Sequence, residues 1–368
     1  MGMKVMIVTC FESNEERVNY IYDACLSRGY DVKAISSDFS HIRKEKRDKF
    51  SGNIMLLEAK PYKKNMSVER MLSHHEFAKD AFALLSEYKP DLIWLIAPAN
   101  SLIAEADKYK KRNPETKMII DIIDMWPESL PVDLNKNILP FNIWRNIRSN
   151  HINCADHLVT ECDFYHEILS KEYKGKIDTI YWARNNKDVI NDPKPDDNKL
   201  NLVYIGSINN IIDTQKIKSI IQNCDKEVVL HVIGEGENTD SFINELKEVC
   251  EVIYHGAIRD EKEKSPIFDK CHAGINVYRD NLYIGFTTKC IDYFEHGLPI
   301  INNIKGDTWK MVEEYDAGIN ITDDMKINSD ILTKQRKNYQ KIVDLYNRNF
   351  TKEVFTDRCL KVIDEVMG

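Results

Sequence analysis

The sequence predicts an α/β protein built from two doubly wound domains facing one cleft. Three observations predict it. Short apolar runs alternate with amphipathic stretches along most of the chain, as in parallel sheets buried on both faces. The 368 residues suit two domains at roughly 100–200 residues each. The composition breaks once, at Lys187–Lys199 (KDVINDPKPDDNK), which has two prolines, many Asp and Asn residues and little to bury.

The first apolar run, Lys4–Thr9, carries one Lys and gives way to Glu12, Asn14, Glu15 and Glu16, so it reads as a first strand and not as a signal peptide. Further strands are predicted at Asp31–Ile35, Ile54–Leu57, Leu92–Ile96, Lys117–Ile123, His157–Thr160 and Lys176–Tyr181. Helices are predicted through Arg17–Arg28, Val68–Tyr88, Ser101–Lys111, Ile143–Asn153 and Cys162–Leu169. The second series has strands at Leu202–Gly206, Val228–Gly234, Val252–His255, Ala273–Val277 and Ile300–Asn303. Its helices are Thr214–Asn223, Thr239–Val249, Ser265–Asp269, Lys289–His296 and Trp309–Tyr315, and from about Ile327 the pattern is helical only. The predicted division is residues 1–188, a linker at 189–200, residues 201–348, and a final helical segment at 349–368.

A net charge of −8 and a pI near 5.8 argue against nucleic-acid binding, which needs a basic face. The local exception is Arg43–Lys49 (RKEKRDK), followed by Lys60, Lys63 and Lys64. Nine scattered cysteines with no C-x-x-C pair read as reduced core thiols of a cytosolic protein. No apolar run approaches the roughly 18 residues that span a bilayer, so any membrane contact is peripheral. His74-His75-Glu76 reads as an ordinary helical stretch, because adjacent histidines point to different sides of a helix.

The chemistry concentrates in Lys289–Pro299 (KCIDYFEHGLP), which sets Asp292 one turn inside a helix that follows the approach Ile284-Gly285-Phe286-Thr287-Thr288. Free N–H groups at such a start suit a phosphate, and a carboxylate just inside suits ribose hydroxyls. A carboxylate near a helix start is also simply favourable there. Strand exits at Gly206-Ser207, Gly234-Glu235-Gly236, Gly256-Ala257 and Gly285-Phe286 would let the backbone approach a nucleotide diphosphate closely. No G-x-G-x-x-G follows the first strand, which counts against a NAD-dependent dehydrogenase.

The series YIGS (204–207), HVIGEGE (231–237), VIYHGAI (252–258) and GFTTKCIDYFEHGLPII (285–301) resembles the nucleotide-binding domain of family-four glycosyltransferases of the GT-B fold. DIIDMWPESLP (121–131) resembles the D-x-WPES segment of bacterial capsule and lipopolysaccharide members, CADHLVTEC (154–162) resembles one of their strands, and RNNKD (184–188) stands where they carry a hinge. The resemblance implies two Rossmann-like domains with the last helix crossing back to the first. It implies transfer of a sugar from a nucleotide diphosphate sugar, UDP-like or GDP-like, with retention and without a metal or other cofactor. The implied acceptor is a saccharide, in particular one on a polyprenyl diphosphate, in surface polysaccharide synthesis. With the basic segment, it implies a cytoplasmic enzyme in peripheral contact with anionic membrane.

By that resemblance Asp292 binds the ribose and Lys289 meets the diphosphate, assisted by Thr287 and Thr288. Gly285, Phe286, Gly206, Ser207, Gly234, Gly236, Ala257 and Ile258 complete the implied donor site. Ile284 replaces the first acid of the Glu-x7-Glu motif, Ser207 replaces a frequent Arg, and Ile123 replaces a frequent His. Asp124 or the nearby Glu128 is implied as general base or as a group positioning the acceptor hydroxyl. Asp124 also fits as a cap on the turn at Trp126-Pro127. Glu12, Asn14 and Arg17 fall on the implied acceptor loop. The alternatives are a nucleotide-sugar epimerase of the same fold and a non-catalytic nucleotide-sugar-binding subunit.

Overall fold

A computed structural model of the chain describes residues 2–47, 53–132, 135–185, 191–196, 198–322 and 325–368. The described residues form two units, one reaching Trp182 and regaining Lys352–Gly368, the other running Ala183–Thr351.

The first unit comprises β1 (Lys4–Val8), α1 (Glu15–Ser27), β2 (Asp31–Ser37), β3 (Ile54–Leu57), α2 (Val68–Tyr88), β4 (Leu92–Ala97), α3 (Asn100–Arg112), β5 (Lys117–Ile122), α4 (Leu139–His151), β6 (His157–Thr160), α5 (His166–Glu172) and β7 (Ile177–Thr179). Its described strands pair in parallel in the order β3-β2-β1-β4-β5-β6-β7. The order reverses between β1 and β4, where Val5–Val8 pair with Leu92–Leu95. All six residues of β4, LIWLIA, are buried, as a strand covered on both faces requires.

The second unit comprises β8 (Leu200–Ile205), α6 (Thr214–Gln222), β9 (Val228–Ile233), α7 (Thr239–Leu246), β10 (Glu251–Gly256), α8 (Glu261–Asp269), β11 (Ala273–Asn276), α9 (Lys289–Glu295), β12 (Ile300–Asn302), α10 (Asp307–Tyr315), β13 (Gly318–Asn320), α11 (Ser329–Lys337) and α12 (Gln340–Asn349). The order β10-β9-β8-β11-β12-β13 reverses between β8 and β11. Helix α13 (Lys352–Met367) belongs to the first unit, where Phe355 packs edge-on against Tyr20 of α1.

The division differs from the expected linker at 189–200. It falls at Trp182/Ala183, because the chain beyond is already tied to the second unit: Asn191 Nδ2 donates to Glu295 O and Lys194 N donates to Asp269 O. Residues 186–190 and 197, with most of the RNNKD segment, lie outside the described residues. Strand β13 is absent from the sequence prediction because three residues show no alternation. Helix α8 starts at Glu261, four residues before the predicted start, where the Asp260 side chain accepts from Lys262 N.

The basic segment is largely neutralised. Lys46 pairs with Glu58 at 2.9 Å and Arg47 with Glu15 at 2.6 Å, while Asp48 and Lys49 lie outside the described residues. No helix among the described residues is long and apolar enough to cross a membrane.

Candidate functional site

In the second unit, the loop before α9 is anchored by a ladder of asparagines. Parallel register aligns Asn276, Asn302 and Asn320 at the carboxyl ends of β11, β12 and β13. Asn276 Nδ2 donates to Asn302 Oδ1 at 2.7 Å, and Asn302 Nδ2 donates to Asn320 Oδ1 at 2.8 Å. Thr287 Oγ1 donates to Asn276 Oδ1 at 2.8 Å, so the loop is fixed to the sheet edge by buried, satisfied polar groups. Thr308 N donates to Gly285 O at 3.1 Å and holds the other side.

Anchoring the loop aims Lys289 inward. The residue is 8 % exposed, and Nζ has no hydrogen-bond partner. The ammonium lies 4.1 Å from the Tyr204 ring centre and 4.8 Å from that of Tyr278, and cation–π attraction offsets part of its lost hydration. Burial pulls its pKa down to about 7. Its Cε reaches within 3.6 Å of where a β-carbon on Gly206 would stand, so Lys289 sits against the exit of β8, beside the point where the strand order reverses. Open parallel sheets bind ligands at that place.

Asp292 projects from the same helix. Its Oδ1 lies 3.3 Å from Arg184 Nε and 3.7 Å from Lys264 Nζ, and its side chain is 13 % exposed. Ser207, Ala257 and Thr288 are exposed, and Ile258 is half-buried. Phe286 instead stacks on Phe350 at 5.1 Å and is a packing residue. Ile284 packs against the core of the unit.

Two of the glycines serve the protein itself. A β-carbon on Gly234, whose φ is +140°, would stand 2.0 Å from Gly206 O, and one on Gly236 would stand 2.2 Å from Ile208 O. Their small size lets the β8 and β9 exits pack backbone to backbone, joined by Ile208 N donating to Glu235 O at 3.1 Å.

In the first unit, two carboxyl groups stand side by side just past adjacent strands. Asp124 follows β5 and Glu161 follows β6, with Glu161 N donating to Ile122 O at 3.3 Å. Asp124 accepts from Trp126 Nε1 at 2.7 Å and from Ser129 Oγ, and burial raises its pKa. Glu161 accepts from Trp182 Nε1 at 2.7 Å and Tyr165 OH at 3.0 Å. Burial, reinforced by the Asp124 charge, pushes Glu161 up to about 8. A carboxyl neutral at pH 7 beside a second carboxyl is an arrangement suited to holding or moving a proton.

Sequence reasoning missed Glu161; its signal is a carboxylate one residue past a strand end, within CADHLVTEC. Glu128 has another job. Both of its oxygens are held by Arg148, one also by Arg145, and Arg148 continues to Glu172, which keeps the Glu128 carboxyl below its ordinary pKa despite burial. Those contacts tie the Glu128 loop to α4, and Arg148 ties α4 to α5 through Glu172.

The implied acceptor loop is likewise engaged. Arg17 is fully buried in a bidentate pair with Asp121. Asn14 Nδ2 donates to Thr9 Oγ1, and Glu12 accepts from Ser40 Oγ and Ile42 N. Arg17 is therefore corrected from an acceptor contact to a core residue, and Asn14 and Glu12 brace the loops around it.

The two parallel sheets, each with its polar residues gathered at strand carboxyl ends, define the GT-B class of two Rossmann-like units. Solved structures with this fold include sucrose-phosphate synthase from Thermosynechococcus elongatus, with a TM-score of 0.73, 12 % identity and 99 % of each chain covered. The apo form of the lipopolysaccharide outer core galactosyltransferase WaaB matches with a TM-score of 0.66 and 15 % identity, covering 99 % of each chain. HepE from Anabaena, in complex with UDP and glucose, matches with a TM-score of 0.61 and 11 % identity over 99 % of this chain and 100 % of its own. No family model matches the chain, and no curated protein sequence does.

Proposed function

We propose that the chain is a glycosyltransferase that moves a sugar from a nucleotide diphosphate sugar to a saccharide acceptor. The observation that carries this reading is the buried, unpartnered Lys289 ammonium against the β8 exit. A buried cation without an anion is costly, and a diphosphate arriving at Gly206 would supply the missing charge. Asp292 would accept from ribose hydroxyls, with Arg184 and Lys264 holding its carboxylate in place. HepE, which shares the fold, holds UDP and glucose, and UDP is the nucleotide we assign.

In the transfer, an acceptor hydroxyl forms a bond to the anomeric carbon as the bond to the diphosphate breaks, and the nucleoside diphosphate leaves with the electron pair. Asp124 is assigned to the hydroxyl proton or to placing that hydroxyl, with Glu161 beside it. We further assign retention of configuration, Lys289 in place of a metal as the counter-charge, and a lipid-linked acceptor in surface polysaccharide synthesis, WaaB being named a lipopolysaccharide outer core galactosyltransferase. Nine scattered cysteines with no C-x-x-C pair suit the cytoplasm.

A thermal-shift series with UDP, GDP and their sugars tests the reading, since a ligand at 100 times its Kd adds about 2.7 kcal/mol to the folded state. A shift in the wild type that vanishes in Lys289→Met supports it. No shift with any of these compounds overturns it. Conversion of the donor without acceptor would instead identify an epimerase.

A further inference from the structure

The first unit holds a cavity of about 400 Å³, within the roughly 300–1,000 Å³ of ligand pockets, that the transfer chemistry leaves unused. Val68, Met71 and Leu72 of α2 form one wall, and Trp144 and Ile147 of α4 form another. Apolar side chains there stand in solvent, Val68 being 67 % exposed and Leu72 53 %. Apolar surface gathered in this way marks a binding site.

The start of α3 also lines the cavity, through Ala99, Asn100 and Ser101. Ala99, at the N-cap, gives no side-chain bond to the first N–H groups, and the first turn holds no acidic residue. Leu102 N donates to Ala99 O at 3.0 Å, while Asn100 N and Ser101 N have no acceptor among the described residues. Such a start offers free donors and a partial positive charge.

His74 lines the same cavity at 7 % exposure, and its Nε2 is buried without a partner. Burial holds its pKa well below 6.5, so the imidazole is neutral and, with its proton on Nε2, has one N–H to give. The first turn of α3 holds the surrounding groups in place. Ser101 Oγ donates to His74 O at 3.0 Å, and Asn100 Nδ2 donates to Trp126 O at 3.2 Å and Trp144 O at 2.9 Å. A buried polar atom left unsatisfied costs free energy that a ligand oxygen would recover.

The charge of the lining selects the occupant. Among the described residues no Lys, Arg, Asp or Glu lines the cavity. A helix start presents roughly half an elementary charge, which matches a single carboxylate. A phosphate or diphosphate carries more charge and calls for a Lys or Arg that the lining lacks.

We propose that this cavity binds an aliphatic monocarboxylate, with the hydrocarbon chain between α2 and α4 and the carboxylate on His74 Nε2 and the first N–H groups of α3. The site lies in the first unit, whereas the donor residues Lys289 and Asp292 lie in the second.

The test is calorimetric titration of the whole chain with hexanoate, octanoate, 1-octanol and octylamine. Octanoate should bind at least about fivefold more tightly than octanol, because a charge-assisted hydrogen bond outweighs a neutral one, and the octylammonium cation should bind worst. Each buried methylene is worth about fourfold in affinity, so octanoate should exceed hexanoate by at least about tenfold. Leu72→Gln, at an exposed position that tolerates a polar residue, should weaken octanoate binding several-fold. His74→Phe should bring octanoate down to the affinity of octanol; if that variant fails to fold, the head-group series and Leu72→Gln decide. Octanol binding as tightly as octanoate overturns the proposal, as does octanoate binding that Leu72→Gln leaves unchanged. Association with phosphatidylcholine vesicles without an octanoate isotherm also overturns it, in favour of a membrane surface. No arm uses a nucleotide, so the outcome is independent of whether UDP binds.

Discussion

The ammonium of Lys289 rests 4.1 Å from the centre of the Tyr204 ring, with no hydrogen-bond partner. That relationship makes the donor site sensitive to pH. Burial lowers the Lys289 pKa from 10.5 to about 7, so above pH 7 the unliganded site is increasingly neutral. A bound diphosphate restores the ammonium, and binding must then take up a proton.

UDP affinity should therefore fall as pH rises above about 7, approaching about tenfold per pH unit at its steepest. Calorimetry in buffers of different ionisation enthalpy should register the uptake. Affinity that is flat from pH 6 to 9 with no proton uptake would remove Lys289 from the diphosphate.

At Glu161 burial shifts the pKa the other way. Its folded pKa is raised from 4.5 to about 8, so its neutral form favours folding: the contribution is complete below pH 4.5 and is lost as pH rises through about 8. Glu161→Gln should leave melting at pH 5 nearly unchanged and raise Tm at pH 9 by roughly 2–4 °C, the shift 1 kcal/mol produces in a domain of this size. The same variant should slow sugar transfer if Glu161 handles a proton. A Tm difference between variant and wild type that is constant across pH would show that the carboxyl is ionised throughout.

These two residues differ in how far the sequence reveals them. Lys289 and Asp292 belong to one short helix, and their spacing is visible in eleven consecutive residues. What Lys289 touches is not, because Tyr204 and Tyr278 arrive from other elements. The alternation of strands and helices is legible throughout, whereas the unit boundary is not, since Asn191 and Lys194 reveal their allegiance only through bonds to Glu295 and Asp269. Glu161 is missed for the same reason as Lys289's setting: its pKa is raised by burial and by the Asp124 charge, against the hydrogen bonds from Trp182 and Tyr165, and the fold brings all of these to it.

Two histidines predict acid sensitivity. Burial holds His41 and His231 down to about 4, and His231 also faces His255, its Nδ1 3.0 Å from His255 Nε2. Their neutral forms favour folding, so the contribution is present above the ordinary value of 6.5 and is lost as pH falls toward 4. Thermal melts should show Tm declining through that window, and His231→Gln should flatten part of the decline. NMR titration of the imidazole protons with midpoints near 6.5 for both would contradict the prediction.

Arg17 and Asp121 decide whether the acceptor loop reads its ligand through Arg17. Arg17 Nε and Nη2 lie 2.7 and 2.9 Å from the two Asp121 oxygens, and Trp94 Nε1 donates to the same carboxylate at 3.1 Å. The guanidinium is also close to Phe355 of α13, 5.0 Å from its ring centre, and to Trp182, at 5.5 Å. Removing one partner strands a buried charge, so Arg17→Met should cost about 3–5 kcal/mol in urea unfolding. Replacing both, Arg17→Met with Asp121→Leu, should recover most of that loss, because the pair's attraction and its desolvation nearly cancel. Both variants should keep the wild-type KM for acceptor wherever they remain folded. An Arg17→Met protein of unchanged stability with a tenfold higher acceptor KM would return Arg17 to the acceptor site.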